Sequence, residues 1–303
     1  MSEKTKVFAT PKIRKFAREL GANIAEVVGT ERAGRITEED VKNYINNKLN
    51  KSSKNDEIKI KKEFEHSEFG NVEIIDMPRV KRLAAPHLSN SWNTIPHVTH
   101  HDEADITELE DFRAKLTDSV SGDKIKITPL AFIAKALANN LKKFPRFNSS
   151  IDNISEGKIT LKKYFHIGIA VDTPHGLMVP KIRNVDQMKI KEIAEELKNV
   201  SELSRSLKIN KKEFFGGSIT ITSLGGIGGT YFTPIINYPE VAILGVGRSY
   251  KKQIFIKDKF LARTVLPLSL SYDHRIIDGA EAARFCNEIG NNLGKNFAFK
   301  LAI

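Results

Sequence analysis

Between Pro11 and Leu20 the apolar residues Ile13, Phe16 and Leu20 recur at the spacing of one helix face, behind a cap-like Thr10 and a proline at the first helical position. A turn-rich stretch containing Gly29 and Gly34 follows. Thr37 then opens a second helix over "TEEDVKNYINNKL", with Glu38, Glu39 and Asp40 in its first turn, where acidic side chains complement the helix dipole. The pattern predicts a small helical unit over residues 8–47, near the lower size limit for folding without metal or disulfide. Residues 48–71 carry few large apolar side chains, mixed charge and no period, which predicts a flexible, solvated linker.

From residue 72 to residue 303 the period changes repeatedly. "ITPLAFIAKALANNLKKF" and "GAEAARFCNEIGNNL" have helical spacing, and "MKIKEIAEELKNVSELSRSLK" reads as one surface helix or a pair. "YFHIGIAVDT", "GSITITSL", "EVAILGVG" and "LPLSLSYDH" alternate or run apolar as buried strands do, with Leu266, Leu268 and Leu270 directed to the core. Interleaved helices and strands without an internal repeat predict one α/β (α+β) domain over residues 72–303.

Composition narrows the class. A chain of 303 residues with 40% hydrophobic and 28% charged residues is globular, and no apolar run approaches the ~20 residues that cross a bilayer. The first residues lack the apolar segment of a secretory signal, and the single cysteine, Cys286, excludes an internal disulfide, so the expected location is cytoplasmic. The formal charge of +11 is spread along the chain and densest between Lys48 and Lys62, which argues against a nucleic-acid stripe. It suits an acidic protein partner or a polyanionic ligand such as coenzyme A.

Two stretches carry candidate chemistry. In "LSLSYDHRIIDGAEAARF", His274 falls where a strand ends and the chain turns toward a helix after Gly279. An imidazole there can take a proton near neutral pH, and a thiol is its best natural target, because the thiolate is the far better nucleophile. Asp273 and Asp278 flank it, and Arg275 is placed to pair with one of them. No cysteine or second histidine stands at ligand spacing nearby, so a zinc site is not expected. The second stretch, "GGSITITSLGGIGGTYFTPIIN", ends a strand with Thr220, Thr222 and Ser223 before four glycines. Hydroxyls at a strand end can donate to an oxyanion, and glycines allow close approach of a ligand. The loop lacks the spacing of a phosphate loop or a dinucleotide fingerprint.

Together with "IPHVTHHDEADITELEDFR", "PRFNSSID" and "IGIAVDTPHGLMVP", these stretches resemble the dihydrolipoamide acyltransferases, the core components of the 2-oxoacid dehydrogenase complexes, and most closely their pyruvate-type acetyltransferases. Residues Thr10 to Leu49 resemble the peripheral subunit-binding domain of the same proteins. The resemblance implies that His274 deprotonates the coenzyme A thiol, which then attacks the acetyl thioester on a dihydrolipoyl arm. It implies a hydroxyl at Thr222 that donates to the oxyanion, with Ser223 beside it and Asp278 in support. Threonine where the family has serine keeps the hydroxyl and stiffens χ1. Coenzyme A contacts map to Arg113, Thr128, Asp172, Thr222, Ser223 and Gly247, with Arg113 as the phosphate partner.

The implied fold is that of chloramphenicol acetyltransferase, a mixed sheet flanked by helices, assembled as trimers with the active site between neighbouring subunits. The resemblance further implies a cubic 24-mer, joined through the C-terminal "FAFKLAI". In the small unit, Arg14, Lys15, Arg18 and Arg35 match residues that bind dihydrolipoamide dehydrogenase or the decarboxylase component. The family's Gly-Thr-Gly turn reads Gly29, Thr30 and Glu31 here. No lipoyl domain is recognisable, so the lipoyl group is expected from another domain or chain. The alternatives are a non-catalytic dehydrogenase-binding scaffold, which the presence of His274 and Asp278 counts against, and an acyltransferase of the 2-oxoglutarate or branched-chain type.

Overall fold

A computed structural model of the chain describes residues 8–52, 64–117, 122–153 and 156–302. The chain divides into two compact units between Ile74 and Ile75.

In the first unit, α1 (Pro11–Glu19) starts as its sequence predicts, with Thr10 Oγ1 accepting from the Ile13 amide at 3.4 Å. Gly21, at φ +68°, lets the chain leave the helix. Ile13, Ala17, Ala22, Val27, Ile36 and Val41 form the core against α2 (Glu38–Ser52). The second helix thus runs past residue 47 into the predicted linker. Residues 53–63 of that linker lie outside the described residues, and a 3-10 turn at His66–Glu68 follows, with the Phe64 ring edge-on to His66 and Phe69.

Asp40 ties this unit together. Its Oδ2 accepts from the Thr37 amide at 2.8 Å and the Thr30 amide at 3.1 Å, and its Oδ1 accepts from Thr30 Oγ1 at 2.8 Å. The Thr37 hydroxyl returns a bond from the Asp40 amide, completing a capping box. These donors, the Thr37 amide first, hold the Asp40 carboxyl at about 2.

The second unit is built on a mixed seven-stranded sheet, among the described residues, in the order β1-β9-β7-β6-β4-β5, with β8 paired to the first half of β9. The strands are β1 (His97–Asp105), β4 (Ile167–Ile169), β5 (Lys181–Ile182), β6 (Ile219–Ser223), β7 (Ala242–Val246), β8 (Tyr250–Ile256) and β9 (Lys259–Asp273). β6 runs parallel to β4 and β7, and the other pairings are antiparallel. A separate two-stranded sheet joins β2 (Ser149–Asn153) and β3 (Lys158–Leu161).

The helices are α3 (Arg79–Thr94), α4 (Thr107–Lys115), α5 (Pro129–Lys143), α6 (Ile190–Arg205), α7 (Gly279–Leu293) and α8 (Phe297–Ala302). α5 packs against α6, α7 and α8, and α7 lies on β1 and β9. The core joins Phe132, Leu137 and Leu141 of α5 to Phe285 and Ile289 of α7 and to Leu266, Leu268 and Leu270 of β9.

On the opposite face of the sheet Ile95, Ile236 and Ile243 form a smaller cluster. That second layer changes the strand-face expectation for β9. Ser269 and Ser271, the polar half of the alternation, are buried as well, because the chain between the glycine-rich loop and β7 covers them. Their hydroxyls meet His101 Nδ1 at 2.9 Å and Thr99 Oγ1 at 2.8 Å on β1. Buried hydroxyls are tolerated only with such partners.

A buried ion pair joins β5 to the start of β7. Lys181 Nζ lies 2.6 Å from Glu240 Oε1, both side chains being 1% exposed. Thr220 Oγ1 donates to Glu240 Oε2 at 2.6 Å, and Asn237 Nδ2 donates to Oε1 at 3.0 Å. Gly168 and Gly217 make room for it, since a side-chain carbon at Gly168 would fall 2.5 Å from Thr220 Oγ1 and one at Gly217 would strike Glu240.

Two stability predictions follow from these networks. Replacing one partner, in Lys181→Met, leaves Glu240 charged and buried and should lower unfolding stability by about 3–5 kcal/mol in urea melts, whereas Lys181→Met with Glu240→Leu should cost less than the single change. For Asp40, the folded value of about 2 lies below the unfolded value of ~3.9, so its stabilisation is present above pH 4 and is lost as pH falls from 4 through 2. Hydrogen exchange over residues 8–52 should report that acid loss, and Asp40→Ala should weaken protection there by about 1–2 kcal/mol at neutral pH.

Candidate active site

β9 ends at Asp273, and the chain turns there into α7, whose N-cap is Asp278. The turn is held by Asp273. Its carbonyl accepts from the Ile276 and Ile277 amides at 3.1 Å each, and its carboxylate accepts from the Arg275 amide at 3.0 Å. The Arg275 guanidinium closes on the same carboxylate, with Nε at 2.9 Å and Nη2 at 2.5 Å. Asp273 is buried, and this fork is what neutralises it. Of the two aspartates considered for Arg275, its partner is Asp273.

His274 is anchored through its backbone, its amide donating to the Pro96 carbonyl at 3.1 Å. Its ring is exposed, with its centroid 5.8 Å from that of Tyr272. Among the described residues the ring makes no side-chain hydrogen bond, so both nitrogens are open. Asp278 is exposed too, and its carboxylate does not cap α7.

Thr222 and Ser223 close β6 at the other end of the sheet. Thr222 pairs with Gly245, and Gly245 pairs with Ser269 of β9. His274 stands five residues beyond Ser269, which separates it from Thr222 by roughly 16 Å along the strands and about 10 Å across them. The two side chains of one chain therefore do not meet.

Asp172 and Gly247 lie at Thr222's end. Asp172 follows β4, whose Ile169 pairs with Ile221, and Gly247 follows β7. Asp172 is exposed, whereas Gly247 is buried. Any side chain at Gly247 would run into the Thr230 carbonyl, so this glycine lets the glycine-rich loop close onto the sheet. The Leu224 amide donates to the Val246 carbonyl at 2.9 Å, and the Arg248 amide to that of Gly229 at 2.9 Å. Tyr231, at the end of the loop, donates to Glu103 at 3.0 Å, as does Tyr250 at 2.6 Å, while Lys252 lies 2.5 Å from the same carboxylate. The Lys252 and Tyr250 bonds hold Glu103 below the usual carboxylate range, and burial together with Glu103 pushes Tyr231 up to about 12.

Arg113 and Thr128 come together in a cleft of about 450 Å³, whose walls include Glu110, Leu116, Lys124 and Lys126. Arg113 is already engaged. Its Nη1 lies 2.5 and 2.6 Å from the two Glu110 oxygens, and its Nε donates to the Ile127 carbonyl at 2.7 Å. Lys124 and Lys126 are exposed and pair with no carboxylate among the described residues. Sequence reasoning missed both lysines, because only the fold brings residues 124–128 beside α4; the alternating "DKIKIT" was the signal available.

In the first unit Arg14, Lys15, Arg18 and Arg35 are all exposed, the first three on α1. Gly29 is required, since a side chain there would strike the Gly34 carbonyl and Arg35 backbone, whereas Glu31 has φ −79° and ψ 168°, which any residue adopts. The turn therefore keeps its shape without the family's second glycine. Among the described residues no cluster of side chains is suited to a metal ion, and no helix is long and apolar enough to cross a membrane.

The family described as 2-oxoacid dehydrogenases acyltransferase (catalytic domain) matches residues 69–298, and the E3 binding domain matches residues 7–42. The dihydrolipoyllysine-residue acetyltransferase component of the pyruvate dehydrogenase complex of Cupriavidus necator is 46% identical over 298 residues, covering 94% of this chain and 53% of that protein. The component of the same name from Bacillus subtilis is 39% identical, covering 94% of this chain and 66% of that protein. The chain spans about half the length of the first of the curated relatives it matches.

Among solved structures, the dihydrolipoamide acetyltransferase of Azotobacter vinelandii, studied for the catalytic roles of a serine, a histidine and an asparagine, superposes with a TM-score of 0.75 at 44% identity over 79% of this chain and 98% of that one. The cubic core of a pyruvate dehydrogenase multienzyme complex superposes with the same TM-score, identity and coverage. With the acyltransferase match spanning most of its length and the E3 binding domain ahead of it, this chain belongs to the 2-oxoacid dehydrogenase acyltransferase family.

Proposed function

We propose that this chain is the acetyl-transferring core component of a pyruvate dehydrogenase complex, moving an acetyl group between a dihydrolipoyl arm and coenzyme A. One observation carries the reading. In the A. vinelandii acetyltransferase the named serine, histidine and asparagine stand 52 and then 4 residues apart, and Thr222, His274 and Asp278 keep the same intervals here.

The chemistry follows from the side chains. A coenzyme A thiol is mostly protonated at neutral pH, and His274, with both ring nitrogens open, accepts its proton. The thiolate attacks the acetyl carbonyl of the S-acetyldihydrolipoyl arm, and the Thr222 hydroxyl donates to the oxyanion. Collapse of the intermediate breaks the bond from carbon to the lipoyl sulfur and keeps the new bond to coenzyme A. The proton held by His274 passes to the departing lipoyl thiolate, so the imidazole ends neutral. Asp278, beside His274, is assigned a supporting electrostatic role.

Because His274 and Thr222 lie at opposite ends of one sheet, the site needs two copies of the chain, His274 from one and Thr222 from its neighbour. A homotrimer meets this requirement, and the likeness to a cubic core supports further assembly into a 24-mer. Coenzyme A enters from Thr222's end, past Ser223, Asp172 and Gly247. Its phosphates go to the cleft at Thr128, where Lys124 and Lys126 supply cations that pair with no carboxylate among the described residues and Arg113, held by Glu110, shapes the wall. The exposed Arg14, Lys15, Arg18 and Arg35 bind dihydrolipoamide dehydrogenase or the decarboxylase component. A buried, unpaired thiol at Cys286 suits the cytoplasm.

Acetyl transfer from acetyl-CoA to dihydrolipoamide tests the reading, and absence of turnover by the parent chain would end it. His274→Ala should lower kcat by about 10²–10⁴-fold. Thr222→Val should lower it by about 10²–10³-fold, with Thr222→Ser close to the parent. Refolding the His274→Ala and Thr222→Val chains together at equal amounts should restore about a quarter of parental activity, because in a closed ring that fraction of interfaces pairs an intact histidine with an intact threonine. Lys124→Ala with Lys126→Ala should raise the KM for coenzyme A by about tenfold and leave that for dihydrolipoamide unchanged.

A further inference from the structure

His97, the first residue of β1, lies across from Asp273 in the β1–β9 register, and the preceding residue supplies the carbonyl that anchors His274. Both of its ring nitrogens meet backbone. Nδ1 lies 2.8 Å from the Ile95 carbonyl, and Nε2 lies 3.0 Å from the Ile236 amide. A carbonyl can only accept and an amide can only donate. Nδ1 therefore carries the hydrogen and Nε2 presents its lone pair, a tautomer fixed by its two partners. A second proton would set N–H against N–H at Ile236.

From this the geometry points to His97 as the positioning residue of the His274 turn, one that works only as a neutral imidazole. Its two bonds tie the start of β1 to the end of α3 at Ile95 and to the chain leading into β7 at Ile236, next to the Pro96 carbonyl that holds His274. Ile95, Ile236 and Ile243 form the cluster beneath, and the Trp92 ring lies over the imidazole with centroids 5.3 Å apart.

The charged and titratable groups on the neighbouring elements are engaged elsewhere or stand outside the ring plane. From β9, Asp273 is closed by Arg275, and His274 faces outward. From the segment before β7, Glu240 is held by Lys181, and Tyr238 donates its amide to Ser91 Oγ at 3.4 Å. From α3, His87 Nε2 meets Asn237 Oδ1 at 3.0 Å. None of them gives a protonated His97 an acceptor in place of the Ile236 amide.

This inference rests on the proposed acetyl transfer for its kinetic consequence and not for its structural one. His97→Gln can place its amide oxygen where Nε2 stood, so it should keep kcat within a few-fold. His97→Asn can restore only the bond to Ile95, and misplacing His274 should lower its kcat on the order of 10- to 100-fold with both KM values unchanged.

Hydrogen exchange of the whole assembled chain reads the same device without catalysis. Peptides over 234–240 and 272–278 should be less protected in His97→Asn than in the parent, with His97→Gln close to the parent. Unchanged protection of both peptides in His97→Asn, or a folded His97→Asn as active as the parent, would overturn the assignment. A parent without turnover would instead remove the acetyl-transfer reading and leave the exchange result to decide the role of His97.

Discussion

The register of β9 governs the site. This strand pairs with β1 on one side and β7 on the other, and with β8 along its first half, so its position along its own axis is fixed by three partners at once. A slip of one residue would turn Leu266, Leu268 and Leu270 out of the main core and bring Ser269 and Ser271 into it, which is why such a slip is not available. With β9 fixed, His274 is fixed at one end of the sheet. The chain of pairings through β7 to β6 then fixes Thr222 at the other. Separation of His274 from Thr222 is thus a property of backbone hydrogen bonding, and no side-chain rotation can undo it.

The polar interior serves the same end. Lys181, Glu240, Thr220 and Asn237 form a closed buried network, and such networks are weak sources of stability because of the cost of desolvating the charges. They do, however, allow one arrangement. Glu240 touches β5 through Lys181 and β6 through Thr220, and sits immediately before β7, so the three strands share one alignment. Gly168 and Gly217 belong to this network as much as the charged residues do, because a methyl group at either would collide with it.

Strands with apolar alternation were legible in the sequence: β4, β6, β7 and the second half of β9 lie in the stretches read as strands, and the first half of β9 does not. β1 was not, because "HVTHHDEAD" is polar at most positions on both faces. It is a strand through its pairing with β9, and its histidines are used as hydrogen-bonding parts, His97 to backbone and His101 to Ser269. Periodicity cannot detect a strand whose buried side chains are polar and satisfied. The candidate residues were singled out by type and by resemblance, and the turn at His274 was legible from the end of the apolar run. What the sequence could not convey was which groups share an end of the sheet, since Lys124 joins Arg113, and Asp172 joins Thr222, only through tertiary pairing.

His274 illustrates how the fold divides positioning from reactivity. A general base needs one nitrogen for the incoming proton, and a hydrogen bond to the other is the usual way to fix the ring. Here the ring has no such bond among the described residues, and orientation is delegated to the backbone beneath it: the His274 amide on Pro96, the Asp273–Arg275 fork within the turn, and His97, the residue after Pro96, bonded to the Ile95 carbonyl and the Ile236 amide. His97 is itself fixed from both sides, since its two backbone partners admit a single neutral tautomer.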